Sequence, residues 1–156
     1  MPFAAAMSQH PLATHAVGEV VGEVLDRIGA RPDAAVLFVT GPFAGALEDI
    51  AATVRTLLEP ASLIGATVAS VLAADREVEG AAAISLFALR FGPVRGHADA
   101  PVTRVVRLDA PSALDVAPGS AVVVLADPFS FSMDELAAAL PSDDAELTVV
   151  GGTASA

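Results

Sequence analysis

The feature that most limits this chain's fold is a change of apolar period between neighbouring segments. Val17, Val20, Val21, Val24, Leu25 and Ile28 recur at i, i+3, i+4, i+7, i+8 and i+11, which is one face of an amphipathic helix. Gly29 and Pro32 end it. Directly afterwards "AAVLFVT" (Ala34–Thr40) is a continuous apolar run, as expected of a strand buried on both faces. "GPFAG" makes a turn. Leu47, Ile50, Val54, Leu57 and Leu58 then return to helical spacing, with Glu48 and Asp49 near the positive end and Pro60 as the stop. A short apolar segment over residues 2–8 reads as a strand ahead of the first helix. The order β-α-β-α calls for a sheet with parallel strands covered by helices.

The rest of the chain changes character. "SLIGATV" reads as a strand interrupted at Gly65, and residues 75–80 as a turn or a short exposed hairpin. Residues 81–91 alternate, with Ile84, Leu86 and Ala88 on one face. "VTRVVRL" (102–108) reads as another strand, and "GPVRGHADAP" as the loop before it. These strands are joined without helices, so antiparallel pairing is expected. "SAVVVLA" (120–126) looks like a second central strand, broken at Asp127-Pro128. Ser132 with Glu135 three residues on is a capping-box pattern, and Met133, Leu136, Ala137 and Leu140 form a short helical face. A last strand is expected over 146–150, before "GGTASA". The expected fold is therefore α/β of the mixed α+β kind. It has a mixed parallel/antiparallel sheet flanked by about three helices, in the order β-α-β-α-β-β-β-β-α-β. No repeat at a fixed period and no low-complexity linker is expected, and residues 1–156 read as one domain.

Charge narrows the function. The net charge is −11, and all 8 basic residues are arginine. A surface this acidic repels phosphate backbones and anionic headgroups, so neither nucleic acid nor membrane is an expected partner. The absence of Trp and Tyr leaves few platforms for stacking bases. No apolar run approaches the ~20 residues of a membrane helix. The N-terminus has no basic residue ahead of its apolar stretch, so no signal peptide is expected and the cytoplasm is the expected location. With no cysteine, disulfides, thiolate zinc sites and a cysteine nucleophile are all ruled out. With no lysine, so are a Schiff base and a phosphate-loop lysine.

Residues able to do chemistry are few. His10 and His15 are five apart in an expected loop and His97 lies in another, so no zinc site is expected. No Gly-x-Ser-x-Gly elbow follows a strand. "TGPFAG" (40–45) links a strand to a helix, as in an anion-binding turn, but lacks the Gly-x-Gly-x-x-Gly spacing, and Pro42 removes a donor. Arg90, Arg104 and Arg107 punctuate predicted strands. An arginine projecting into a cleft could clamp a carboxylate bidentately; the alternative is an exposed sheet face. Asp127 can accept bonds from N–H groups two residues on, Phe129 can fill an apolar gap, and Ser130 or Ser132 can cap the following helix. Asp127 has no paired carboxylate in its own segment, so it reads as either a turn-former or a pocket wall. A hydrolase using Asp127 and a histidine is a minor alternative.

Four stretches carry a family resemblance: "AVGEVVGEVLDRIGARPDAAVLFVT", "LIGATVASV", "VVVLADPFSF" and the terminal "VVGGTASA". Over nearly all its length the chain resembles the N-terminal domain of the FIST family. That resemblance implies a non-catalytic sensory domain of bacterial signal transduction that binds a small molecule, with amino acids as proposed ligands. It implies no cofactor and no metal. Gly65, Thr67, Asp127, Pro128, Phe129, Gly151 and Gly152 are its pattern positions. Adding Arg90 and Ser130, the candidate ligand-binding residues are Gly65, Thr67, Arg90, Asp127, Phe129, Ser130, Gly151 and Gly152. The family's usual Gly-Cys-Thr is absent, since Ala66 stands in place of the cysteine. Members usually continue into a C-terminal FIST domain, so such a domain, a partner protein or a homodimer is an expected associate. A structural or interaction module is the second functional reading.

Overall fold

Glycine, proline and apolar spacing place most of the elements where the sequence puts them. The computed structural model describes residues 2–73, 75–92, 102–110, 116, 119–139 and 147–154. These fall into two compact units, one up to Val105 and one from Val106.

The first unit holds β1 (Phe3–Ser8), α1 (Ala13–Ile28), β2 (Ala34–Thr40), a 3-10 helix (Gly41–Ala46), α2 (Leu47–Leu58), β3 (Leu63–Val68), β4 (Ser70–Ala73), β5 (Arg76–Glu79) and β6 (Ile84–Leu89). Its four-stranded sheet has the order β1-β6-β2-β3. β6 is antiparallel to both β1 and β2, and β2 is parallel to β3, so β1, β2 and β3 all run the same way. The sheet is mixed, as expected. Val17, Val20, Val21 and Val24 of α1 and Ile50, Val54 and Leu58 of α2 are buried with Leu37, Val39, Ile84 and Leu86 of the sheet. Helical and strand periodicities thus meet in one core.

The strand β6 comes last in this unit yet lies inside the sheet. Ile84, Leu86 and Ala88 are fully buried, whereas Phe87 on the other face is partly exposed. β2 is also less symmetric than its sequence suggests: Ala35, Leu37 and Val39 are buried, but the intervening residues are only half-buried. The β4–β5 pair covers part of that second face. Val71 and Val78 bury with Ala83 and pack on Met7, Phe38 and Val68. The hairpin expected as short and exposed is therefore longer and packed on one side.

The second unit contains β7 (Ala121–Ala126), α3 (Met133–Ala139) and β8 (Thr148–Thr153). β7 and β8 pair in parallel. A small cluster of Val124, Ala126 and Leu136 forms its core, joined by Phe131 and Met133.

Four further expectations need correction. Residues 102–108 form no strand; Val102, Val105 and Val106 are exposed, so β-propensity alone had no face to bury. α1 begins at Ala13, one turn before Val17, which puts His15 on a helix rather than in a loop. Gly65 does not interrupt β3 but lies inside it. Gly151 and Gly152 likewise lie inside β8, which runs past Val150 instead of ending there. His97, Leu140 and Glu146, and with them the loop and element ends read there, lie outside the described residues.

Candidate functional site

In the first unit the carboxyl ends of β1, β2 and β3 share one edge of the sheet, the edge where open parallel sheets take ligands. Thr67 is half-buried near that end of β3. Gly65 sits two residues earlier, opposite Leu37. A Cβ added there would lie 3.2 Å from the Leu37 carbonyl carbon and closer still to its oxygen. The glycine is thus explained by how closely β2 approaches β3.

Thr40 ends β2 with its side chain committed. Its Oγ1 donates to Ala81 O at 2.7 Å and accepts from Ala83 N at 2.8 Å. At the end of β1 the Ser8 hydroxyl donates to Glu19 and accepts from His10 N at 3.1 Å. His10 Nδ1 accepts from Leu12 N at 3.1 Å, and its ring stacks on His15 at 4.6 Å. Nothing in the spacing of Ser8 and Glu19 announces their contact, which joins residues 11 apart in the chain. Among the described residues, neither histidine ring bonds a carboxylate or hydroxyl, and no group of His, Asp and Glu is arranged to hold a metal.

Arg90 is occupied structurally. Its Nε donates to Ile28 O at 2.9 Å and its Nη2 donates to Ala30 O. The guanidinium therefore closes the C-terminus of α1, where a cation favours the helix dipole.

In the second unit Asp127 follows β7 directly. Its Oδ1 accepts from Phe129 N at 3.0 Å, its Oδ2 accepts from Ser130 Oγ at 2.7 Å, and its carbonyl accepts from Phe131 N at 3.0 Å. The Phe129 N–H first, and the Ser130 hydroxyl second, hold this carboxyl below its ordinary pKa. Each carboxylate oxygen keeps acceptor capacity beyond these bonds. Phe129 is 95% exposed, so it fills no gap. Phe131 packs against the small core instead. Ser132 is the helix cap, accepting from Glu135 N at 3.2 Å, while Ser130 serves Asp127.

β8 lies alongside, and Ala154 N donates to Ala126 O at 2.7 Å. The Asp127 turn therefore sits at the carboxyl end of a parallel pair. Gly151, opposite Val124, has φ +142°, and a Cβ there would lie 2.8 Å from Val124 N. Both parallel pairs thus use a glycine to let a partner carbonyl approach. Asp127, Phe129 and Ser130 share one turn, beside the strand bearing Gly151 and Gly152. Gly65, Thr67 and Arg90 belong to the first unit.

Residues 33–156 match the FIST N domain. The chain belongs to the FIST family. The match begins just before β2, so the α1 stretch "AVGEVVGEVLDRIGA" lies outside it and the resemblance is shorter than its sequence reading. No curated protein and no solved structure matches the chain. FIST domains are associated with sensing in signal transduction. Among the described residues no helix is long and apolar enough to cross a membrane.

The Asp127 network has a pH signature. A carboxyl held low in the folded state contributes stability that is fully present above the unfolded value of about 3.9 and lost as pH falls through the lower folded value. Asp127→Asn keeps the Phe129 acceptor but removes the charge. Wild type should therefore be the more stable by a constant margin above about pH 5, and that margin should shrink on acidification below about pH 4. Thermal melts of both proteins across that range measure it. A margin independent of pH would show that the charge plays no part in the turn.

Proposed function

We propose that the chain is a small-ligand-binding sensory domain of bacterial signal transduction, non-catalytic and cytoplasmic, with an amino acid as its ligand. Membership of the FIST family over residues 33–156 carries this reading. The Asp127 turn supports it, because an ionised carboxylate beside the exposed Phe129 ring suits an ammonium group through charge and cation–π attraction. A C-terminal FIST domain or a partner protein would carry the signal onward.

The test is a thermal-shift panel of the amino acids on this chain. A ligand that binds only the folded state stabilises it by about 2.7 kcal/mol at 100-fold excess over Kd. At least one amino acid is expected to raise the melting temperature, and Asp127→Asn to reduce that rise. No rise with any amino acid at millimolar concentration would overturn the reading.

One observation favours a second reading, an interaction module. Phe3 is 65% exposed and its ring lies 6.0 Å from that of Phe87, on the sheet face away from α1. A contiguous exposed apolar patch is where a partner would dock, and this pair is the candidate centre of one. Light scattering decides it: a dimer abolished by Phe3→Ser and Phe87→Ser supports this reading, and a monomer at high concentration removes the homodimer.

A further inference from the structure

The first unit also contains an open cleft of about 330 Å³ at the start of β3. Its walls are Arg55 from the last turn of α2, Pro60 and Ser62 from the connection into β3, Leu63 at the start of β3, and Thr103 and Arg104 from the segment that ends the first unit. Its volume lies at the small end of the range for ligand pockets.

The cleft is a local exception to the acidity of the chain. Two guanidiniums line it, and none of its lining residues is acidic. Among the described residues Arg55 makes no ion pair or hydrogen bond through its guanidinium. The acid one helical turn on, Glu59, is held instead by Arg31 at 2.9 Å. Arg104, which has a contact of its own, brings a second guanidinium to the lining. The overall charge of −11 acts across the surface and is screened beyond about 8–10 Å, so a pair of cations in direct contact with a ligand outweighs it.

The walls are held in place. Thr103 Oγ1 donates to Asp33 O at 2.7 Å, Ala61 N to Pro32 O at 2.9 Å and Ala35 N to Ser62 O at 2.8 Å. These bonds also limit what the cleft can bind. A phosphate loop of the backbone kind draws on a run of free N–H groups. Here Pro60 has none and that of Ala61 is taken. What the cleft offers instead is guanidinium, whose planar fork meets a carboxylate with two parallel bonds. An amino acid would add an ammonium group, and none of the lining residues is an acid that could meet it. Pro60 and Leu63 provide an apolar wall for a short carbon chain.

We propose that the cleft between Arg55 and Arg104 binds a small dicarboxylate that carries no amine. This goes beyond the amino-acid reading and does not need the Asp127 turn to bind anything. The test uses the whole chain with succinate as probe, and glycine and inorganic phosphate for comparison, read by amide chemical-shift mapping and calorimetry. Succinate should bind saturably and shift residues 55, 61–63 and 103–105. Arg55→Gln and Arg104→Gln should each weaken it about tenfold or more, and Arg55→Gln, at an exposed side chain, should leave the melting temperature unchanged.

Absence of saturable binding up to about 20 mM succinate, well above a millimolar Kd, would overturn the inference. So would succinate binding unchanged in Arg55→Gln, or equal binding of phosphate or glycine at the same residues. Amino acids that stabilise the chain while succinate does not would sink the cleft alone. Succinate binding that depends on Arg55, with no amino-acid effect, would sink the amino-acid reading alone.

Discussion

Leu86→Ala is expected to remove about 3–5 kcal/mol of stability, the upper part of the range for buried leucine truncations. Leu86 is fully buried on β6, which has a hydrogen-bonded strand on each side. Its register neighbours are Ala6 on β1 and Leu37 on β2. Ala4, Ala6 and Ala88 nearby are too short to swing into the space left behind. The cavity should therefore persist, and the cost should combine lost transfer energy with lost packing. Against a total of about 5–15 kcal/mol for a domain, this is a large share. Urea unfolding should show a lower midpoint with an unchanged slope. Leu72→Ala, at a residue 70% exposed, should stay within about 0.5 kcal/mol. A loss below about 1 kcal/mol at Leu86 would mean that the sheet centre relaxes around the gap.

Gly151→Ala is expected to have an effect of similar size by the opposite route. The residue has φ +142°, a conformation costing a side-chain-bearing residue about 1–3 kcal/mol. The new Cβ would also press on the Val124 backbone, with nitrogen and carbonyl carbon both at 2.8 Å, for about 1–3 kcal/mol more. Nothing flexible can yield, because the atoms in the way are main chain. The expected result is loss of the β7–β8 ladder, seen as faster amide exchange over residues 122–126 and 149–153. Gly152→Ala next door meets open space and should leave exchange nearly unchanged. Exchange protection surviving in Gly151→Ala would show that the strands can separate enough to admit a methyl group.

These two positions differ in how much of their role could be read from the chain. Leu86 was legible, because its alternation with Ile84 and Ala88 marks a one-sided strand. The reason for Gly151 was not: it depends on which carbonyl lies opposite, and pairing across a sheet leaves no local trace. Gly65 repeats the point. Both glycines looked like ends or breaks and proved to be interior strand residues packed on a neighbour.

The candidate site divides in the same way. The Asp-Pro break and the Ser132–Glu135 cap follow from local backbone chemistry and appear as expected. Which phenylalanine is buried does not: Phe131 enters the small core and Phe129 faces solvent. Arg90 read from the chain as either a carboxylate clamp or part of an exposed sheet face; its bonds to Ile28 O and Ala30 O, which close α1, join residues 62 and 60 apart and leave no local signal. Arg55 carried no signal at all, since its setting depends on the segment at Thr103–Val105 that looked like a strand.

By itself the sequence determined the helices, most of the strands, the acid surface and the turn at Asp127. Each rests on periodicity, charge or local hydrogen bonding within a few residues. Only the tertiary structure decided the sheet order, the interior place of β6, the work of Gly65 and Gly151, and the placing of Arg55 and Arg104 on one cleft. Those depend on contacts between residues far apart in the chain, and a contact of that kind is fixed by the packing of whole elements.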